Sequence, residues 1–155
     1  MEINEALILN SGEGREIKVG TSRLFLKLFS ERTNNKFSIT EYDLPPNFPG
    51  PPSHKHRNYE HAWYVLEGVL SVEVNGKEMT LVKGDFIFIP KYVVHAFSNK
   101  SDSAVRLLAI DTPGGFENYY DELETAFTDG KPLDPNTFRE IQLKYDTYPP
   151  DYSFE

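Results

Sequence analysis

Between Leu24 and Asp111, short apolar runs alternate with turn residues, and no stretch of helical periodicity interrupts them. Phe25, Leu26, Leu28 and Phe29 form one such run, and the Asn34-Asn35 pair after it is a turn signal. A further strand is predicted over residues 36–44. Residues 45–52 then hold five prolines. They remove the amide donors that a central strand needs, so an extended loop is predicted here. Residues 62–66 and Val69–Val74 read as strands parted by Gly68. Asn75-Gly76 is a tight hairpin signal leading to a return strand at Lys77–Val82. The wholly apolar Phe86–Ile89 follows the turn at Lys83-Gly84-Asp85. Strands spaced about every 8–12 residues without helices between them predict an all-β sandwich or barrel.

After Pro113-Gly114-Gly115 the period changes. Tyr119, Leu123 and Phe127 recur at helical spacing, with Tyr120 and Ala126 beside them, and predict a helix over about 116–127. Asp134 is a candidate N-cap with Pro135 at the first helical position. Phe138, Ile141, Leu143 and Tyr145 predict a second, shorter helix that Pro149-Pro150 ends. At about 40 residues this tail is too short to fold alone. It is expected to pack on the outside of the β body, within one domain spanning 1–155.

The composition narrows the function. At 155 residues, 39% hydrophobic and 14% aromatic, the chain has material for one folded domain. Its net charge of −8 argues against a nucleic-acid backbone or an anionic membrane as the partner. The absence of cysteine excludes disulfides, thiolate metal sites and a cysteine nucleophile. No segment is apolar over the length that a membrane span needs. The opening MEINEALILN has no basic residue before its short apolar run and does not read as a secretory signal. A cytoplasmic location is expected.

Three of the four histidines, His54, His56 and His61, lie within one short stretch, and the fourth, His95, follows the FIFI strand. Residues two apart in a strand face the same way, roughly 6.6 Å apart. His54 and His56 therefore form a candidate two-ligand arm for one metal ion. On the next strand His61 shares a face with Trp63 and Val65, while Glu60 shares the other with Ala62, Tyr64 and Leu66. Parity lets either His61 or Glu60 reach a shared site, but hardly both. Trp63, Phe37, Phe86, Phe88 and Phe97 are candidates for an apolar pocket above the metal, and each also fits ordinary core packing.

Two segments carry a family pattern. One reads Gly50-PPS-His54-Lys55-His56-RNYE-His61-AWYVLE-Gly68, the other Gly84-DFIFI-Pro90-Lys91-Tyr92-VV-His95-AFS-Asn99. Together they resemble the two motifs of the cupin family, over about residues 24–112. Three departures stand out. His61 occupies the position of the family's carboxylate ligand, Tyr92 replaces a glycine, and the gap from Gly50 to His54 is two residues short. The resemblance implies a double-stranded β-helix, a jelly-roll-like barrel, followed by a short helical tail at about 113–150. It also implies one divalent ion (Mn, Fe, Ni, Cu or Zn). Small single-domain cupins with manganese or copper on four histidines are similar, which makes His54, His56, His61 and His95 the implied ligands. Glu60 remains the alternative ligand or, if turned inward, a general base. Four neutral imidazoles leave a divalent site at +2, which favours an anionic or enolate oxygen.

The segment TPGGFENYYDEL also resembles the one after the barrel in bacterial quercetinase-like cupins. The implied function is a metal-dependent dioxygenase acting on a small phenolic or enolic compound. A metal-dependent isomerase and a non-enzymatic binding module remain as alternatives, because the fold alone does not determine chemistry. A homodimer is the family expectation.

Overall fold

The computed structural model describes residues 5–127 and 131–155. Nine strands appear among them: β1 (Arg15–Val19), β2 (Ser22–Leu28), β3 (Ser38–Leu44), β4 (Glu60–Glu67), β5 (Val69–Val74), β6 (Lys77–Val82), β7 (Phe86–Ile89), β8 (His95–Ser98) and β9 (Val105–Thr112). Two helices follow, α1 (Glu117–Ala126) and α2 (Pro135–Lys144). The strands form a six-stranded sheet in the order β1-β2-β3-β9-β4-β7 and a three-stranded sheet in the order β6-β5-β8. Every pairing is antiparallel. This is the all-β double-stranded β-helix with a C-terminal helical extension. Among the described residues no helix is long and apolar enough to cross a membrane.

Strand alternation decides what faces inward. On β4, His61, Trp63 and Val65 are buried, as are Val105, Leu107, Ala109 and Asp111 on β9. Thr40, Tyr42 and Leu44 on β3 join them. From the smaller sheet, Leu70, Val72 and His95 are buried, and Phe97 packs against the same core. The two inner faces meet through side chains, with the Trp63 and Phe97 rings 5.3 Å apart and those of Tyr42 and Phe97 5.8 Å apart.

The same parity corrects three expectations. His61 is paired with Ile89 and Trp63 with Ile87, so the isoleucines of β7 face the core. Phe86 and Phe88 sit opposite Tyr64 and Ala62 on the outer face and are 60% and 51% exposed. A uniformly apolar strand carries no alternation from which to read its inner side. Phe37 precedes β3 with the parity of its outward residues and bonds to the preceding 3-10 turn, donating its N–H to Thr33 Oγ1 at 3.1 Å. None of these three lines the interior cavity described below.

The proline loop is held from both sides. Asn99, buried, donates from Nδ2 to the carbonyls of Pro45 and Ser103 at 2.9 and 2.7 Å, and its N–H bonds to Phe48 O at 2.9 Å. Gly50 has φ +71°, and a Cβ there would lie 1.7 Å from Phe97 O. Only glycine fits so close to β8. Tyr92 stands where the family has a glycine, and the backbone keeps the left-handed conformation at φ +68°. The tyrosine therefore carries the strain that a glycine there avoids.

The helices follow their sequence signals. Asp134 caps α2 by accepting from Thr137 N at 3.0 Å, with Pro135 in the first turn. Buried Glu117 starts α1 and accepts from Ser30 N at 2.8 Å and Gly115 N at 3.0 Å. The sequence pattern delimits neither β8 nor β9, and it misses β1, of whose five residues only Ile17 is buried.

Gly50→Ala is predicted to lower stability by ~3 kcal/mol or more, because backbone rather than a flexible side chain must move. Gly76→Ala, at φ +79° with nothing within 4 Å, loses ~1–2 kcal/mol from conformation alone. Denaturant melts of the two variants check this, and equal losses would contradict the close-approach account.

Candidate metal centre

Three histidines, His54, His56 and His95, reach one place by different routes, and His61 stands beside them. His54 and His95 form an isolated antiparallel bridge, with His54 N–H donating to His95 O at 3.0 Å and His95 N–H to His54 O at 2.8 Å. This mutual pairing sets the two side chains abreast, with rings 4.4 Å apart. His56 lies one strand period beyond His54, its ring 5.0 Å from that of His54 and 5.2 Å from that of His95. Lys55, between them, turns away and donates to Pro150 O at 2.9 Å. The potential ligand atoms of His54, His56 and His95 all lie within 4.8 Å of one another. His61 stands beside this group on β4, its ring 4.6 Å from that of His56 and 5.6 Å from that of His95. All four are buried. Glu60 faces the other side of β4, paired with Thr112 and outside the cavity, so the inward general-base role does not hold.

Hydrogen bonding assigns the protons. Nδ1 of His54, His56 and His95 lies 2.8 to 2.9 Å from the carbonyl oxygens of Pro52, Asp146 and Val93. Nδ1 of His61 lies 2.6 Å from Oδ1 of Asp111. A carbonyl or carboxylate oxygen only accepts, so each Nδ1 carries a proton, and in a neutral ring Nε2 then keeps its lone pair. Such outer partners are the usual orienters of metal-bound imidazole. The Nε2 atoms of His56 and His95 are buried without any hydrogen-bond partner. Buried lone pairs with no donor, aimed at one point, fit a divalent ion.

Burial keeps three of these rings, His54, His56 and His95, uncharged. Desolvation lowers the His54 pKa to about 4, opposed by its bond to Pro52. Desolvation likewise brings His95 down to about 2, with His54 and His61 adding repulsion. His56 is lowered well below its ordinary value, first by desolvation and then by the neighbouring histidines. Neutral imidazole is the form that binds metal.

Above the histidines lies a cavity of about 580 Å³. His54, His61 and His95 form part of its wall, together with Trp63, Phe97, Phe116 and Tyr120. The Pro49–Pro52 turn rims it, and no charged side chain lines it among the described residues. Trp63 stacks over His61 at 6.1 Å, and Phe116 approaches His61 at 5.0 Å and His56 at 5.4 Å. Polar groups enter the wall at Trp63, whose Nε1 is buried without a partner, and at a tyrosine pair. Tyr42 and Tyr120 share a hydrogen bond between hydroxyls, and Tyr120 donates to Asp111 Oδ2 at 3.4 Å. Desolvation first, and Asp111 second, raise both tyrosine pKa values well above the ordinary range, so both are neutral phenols.

Sequence reasoning missed Asp111, Phe116, the tyrosine pair and Asp146. Asp111 had a readable signal, since it continues the inward parity of Val105, Leu107 and Ala109 and places a carboxylate on an apolar face. Asp146 had none, because its role depends on the tail folding back.

Comparison with known proteins agrees with this geometry. Residues 40–111 match the cupin domain model. A quercetin 2,3-dioxygenase of Bacillus subtilis is 26% identical over 113 residues, covering 73% of this chain and 33% of that enzyme. The chain spans 33% and 49% of the lengths of the curated relatives it matches. An RmlC-like cupin from Shewanella frigidimarina superposes with a TM-score of 0.60 at 22% identity, covering 74% of this chain and 96% of that one. A polyketide cyclase from Streptomyces resistomycificus gives 0.61 at 23% identity, over 70% and 80% of the two chains. At such identities the likeness to solved structures is one of fold. Sequence motifs, sheet order and the match over residues 40–111 converge on a small cupin.

Proposed function

We propose that this protein is a metal-dependent cupin dioxygenase acting on a small phenolic or enolic, quercetin-like compound. The observation that carries the reading is the set of buried, proton-free Nε2 atoms beside an uncharged aromatic cavity. His54, His56 and His95 hold the ion, and His61 serves as the fourth ligand. The ion is divalent: manganese, iron, nickel, copper or zinc, of which imidazole suits all but manganese particularly well. When bound, a redox-capable ion of this group supplies Lewis-acid polarisation of a substrate oxygen and one-electron chemistry.

The chain's own residues do the rest. Neutral ligands leave the ion's full charge in place, which favours an anionic substrate oxygen. Trp63, Phe97 and Phe116 exclude water and offer flat faces to an aromatic ring. Asp111 fixes the His61 tautomer and receives the Tyr120 hydroxyl, so the Tyr42–Tyr120 pair presents oxygen lone pairs to a substrate hydroxyl. The likeness to quercetin 2,3-dioxygenase supports this choice of chemistry. An isomerase reading lacks its acid/base pair, since no carboxylate or lysine lines the cavity among the described residues.

Metal content after reconstitution, measured by elemental analysis, is expected to be one ion per chain for the wild type and for Glu60→Ala. His95→Ala and His61→Ala are expected to lose affinity by more than the about 10–100-fold typical of removing an outer hydrogen-bond partner. Loaded wild type is expected to consume dioxygen with quercetin. A fully loaded protein that consumes none with any phenolic substrate contradicts the dioxygenase reading and leaves a binding module.

Acid sensitivity follows from burial. In the folded, metal-free chain His54 titrates at about 4, against 6.5 for its ordinary value. Below 6.5 the unfolded chain therefore binds more protons. The stability is full above that value and is lost as the pH falls through about 4. His54 alone accounts for ~3 kcal/mol at ~1.4 kcal/mol per pH unit. Melting temperatures of metal-free wild type and His54→Asn across this range test it, and the variant's profile is expected to be flatter. Parallel profiles contradict it.

A further inference from the structure

The segment that follows α2 lies outside the residues that match the family, yet it is built into the metal-binding arm. Successive residues of an extended chain point their N–H and C=O groups to opposite edges. His54 uses one edge to pair with His95. Lys55 uses the other to pair with Tyr148, with both N–H···O bonds at 2.9 Å. The arm is thereby a short strand held between β8 and the tail.

Asp146 sits at the centre of this contact. Its carbonyl receives the Nδ1–H of His56 at 2.9 Å. Its carboxylate receives the N–H groups of Asn58 at 2.7 Å and Tyr59 at 3.2 Å, and Asn58 Nδ2 at 3.0 Å. One residue therefore grips both the ligand ring and the chain leading from it to β4. Its placement comes from the end of α2. Asp146 has φ +57°, and Thr147 N–H closes back to Gln142 O at 2.9 Å, the long bond of a Schellman stop. Aspartate and asparagine tolerate that left-handed conformation better than other side-chain-bearing residues. Tyr148, Tyr152 and Phe154 cluster beyond it, and the Lys55 ammonium lies 5.2 Å from the Phe154 ring centre.

We propose that Asp146 is a positioning residue for His56, through which the order of the C-terminal tail and the affinity for metal are linked. The proposal rests on the metal reading above. It makes the tail part of the metal site rather than packing on the outside of the barrel. By reciprocity, a tail that sharpens metal binding must itself be ordered by metal.

The test uses the full chain, stripped of metal and titrated with cobalt(II), whose visible absorption reports ligand geometry. Asp146→Ala keeps the backbone carbonyl that meets His56 but loses the carboxylate that fixes it against Asn58 and Tyr59. It is expected to weaken cobalt binding by about tenfold, the low end for a lost outer partner, and to shift the absorption bands. Asp146→Asn keeps an acceptor and the left-handed backbone, and is expected to restore most of the affinity. In the wild type, cobalt is expected to slow hydrogen exchange at the Thr147 and Tyr148 amides. That readout needs no variant and holds if Asp146→Ala fails to fold. Cobalt bound by the wild type, with Asp146→Ala within about twofold and unshifted bands, overturns the proposal. So does cobalt binding by the wild type that leaves exchange at Thr147 and Tyr148 unchanged. A wild type that binds no cobalt overturns the metal reading and this proposal with it.

Discussion

The hydrogen bond from each Nδ1–H to a fixed acceptor decides what the buried histidines can do. Rings packed with centroids 4.4 to 5.6 Å apart repel one another if charged, and burial removes the water that would screen them. Burial therefore keeps His54, His56 and His95 as neutral imidazoles. A neutral ring still has two orientations, and only one presents the Nε2 lone pair to the shared point. The carbonyls of Pro52, Asp146 and Val93 and the carboxylate of Asp111 choose that orientation. The unpartnered Nε2 atoms of His56 and His95 remain buried polar groups whose desolvation a bound cation would compensate.

Those acceptors come from four different parts of the chain: the proline loop, the turn before β8, strand β9 and the tail. The barrel brings them together. Gly50 and Asn99 fix the proline loop against β8, β9 lies beside β4 and carries Asp111 to His61, and the stop of α2 aims Asp146 at His56. The tail thus acts at the site from outside the matched domain. Above the histidines lies an aromatic-walled cavity, into which the tyrosine pair tied to Asp111 brings hydroxyl groups.

Much of this was legible in the sequence, for identifiable reasons. The His-x-His spacing, the parity of His61 with Trp63, and Asn75-Gly76 are local signals, and the structure has each where strand geometry requires it. The Asp134-Pro135 helix start is equally local. Phe86 and Phe88 were misread because FIFI is apolar on both faces, and only its pairing with β4 shows that the isoleucines face inward. Phe37 failed for a related reason, since apolar Phe37, just before β3, and Ile39 fall on the outward side, and polar Ser38 and Thr40 on the buried side. Asp146 was illegible because its partners are about 90 residues away in sequence, and a helix stop alone does not say what its carbonyl meets.

The measurement that bears most directly on this account is X-ray absorption at the edge of the metal bound by the reconstituted wild type. The account predicts a shell of imidazole nitrogens at about 2.0–2.1 Å, with the outer-ring scattering of several histidines, reduced in His95→Ala. A shell of oxygen alone, unchanged in that variant, would place the ion elsewhere and contradict the central claim that these four buried rings form a metal centre.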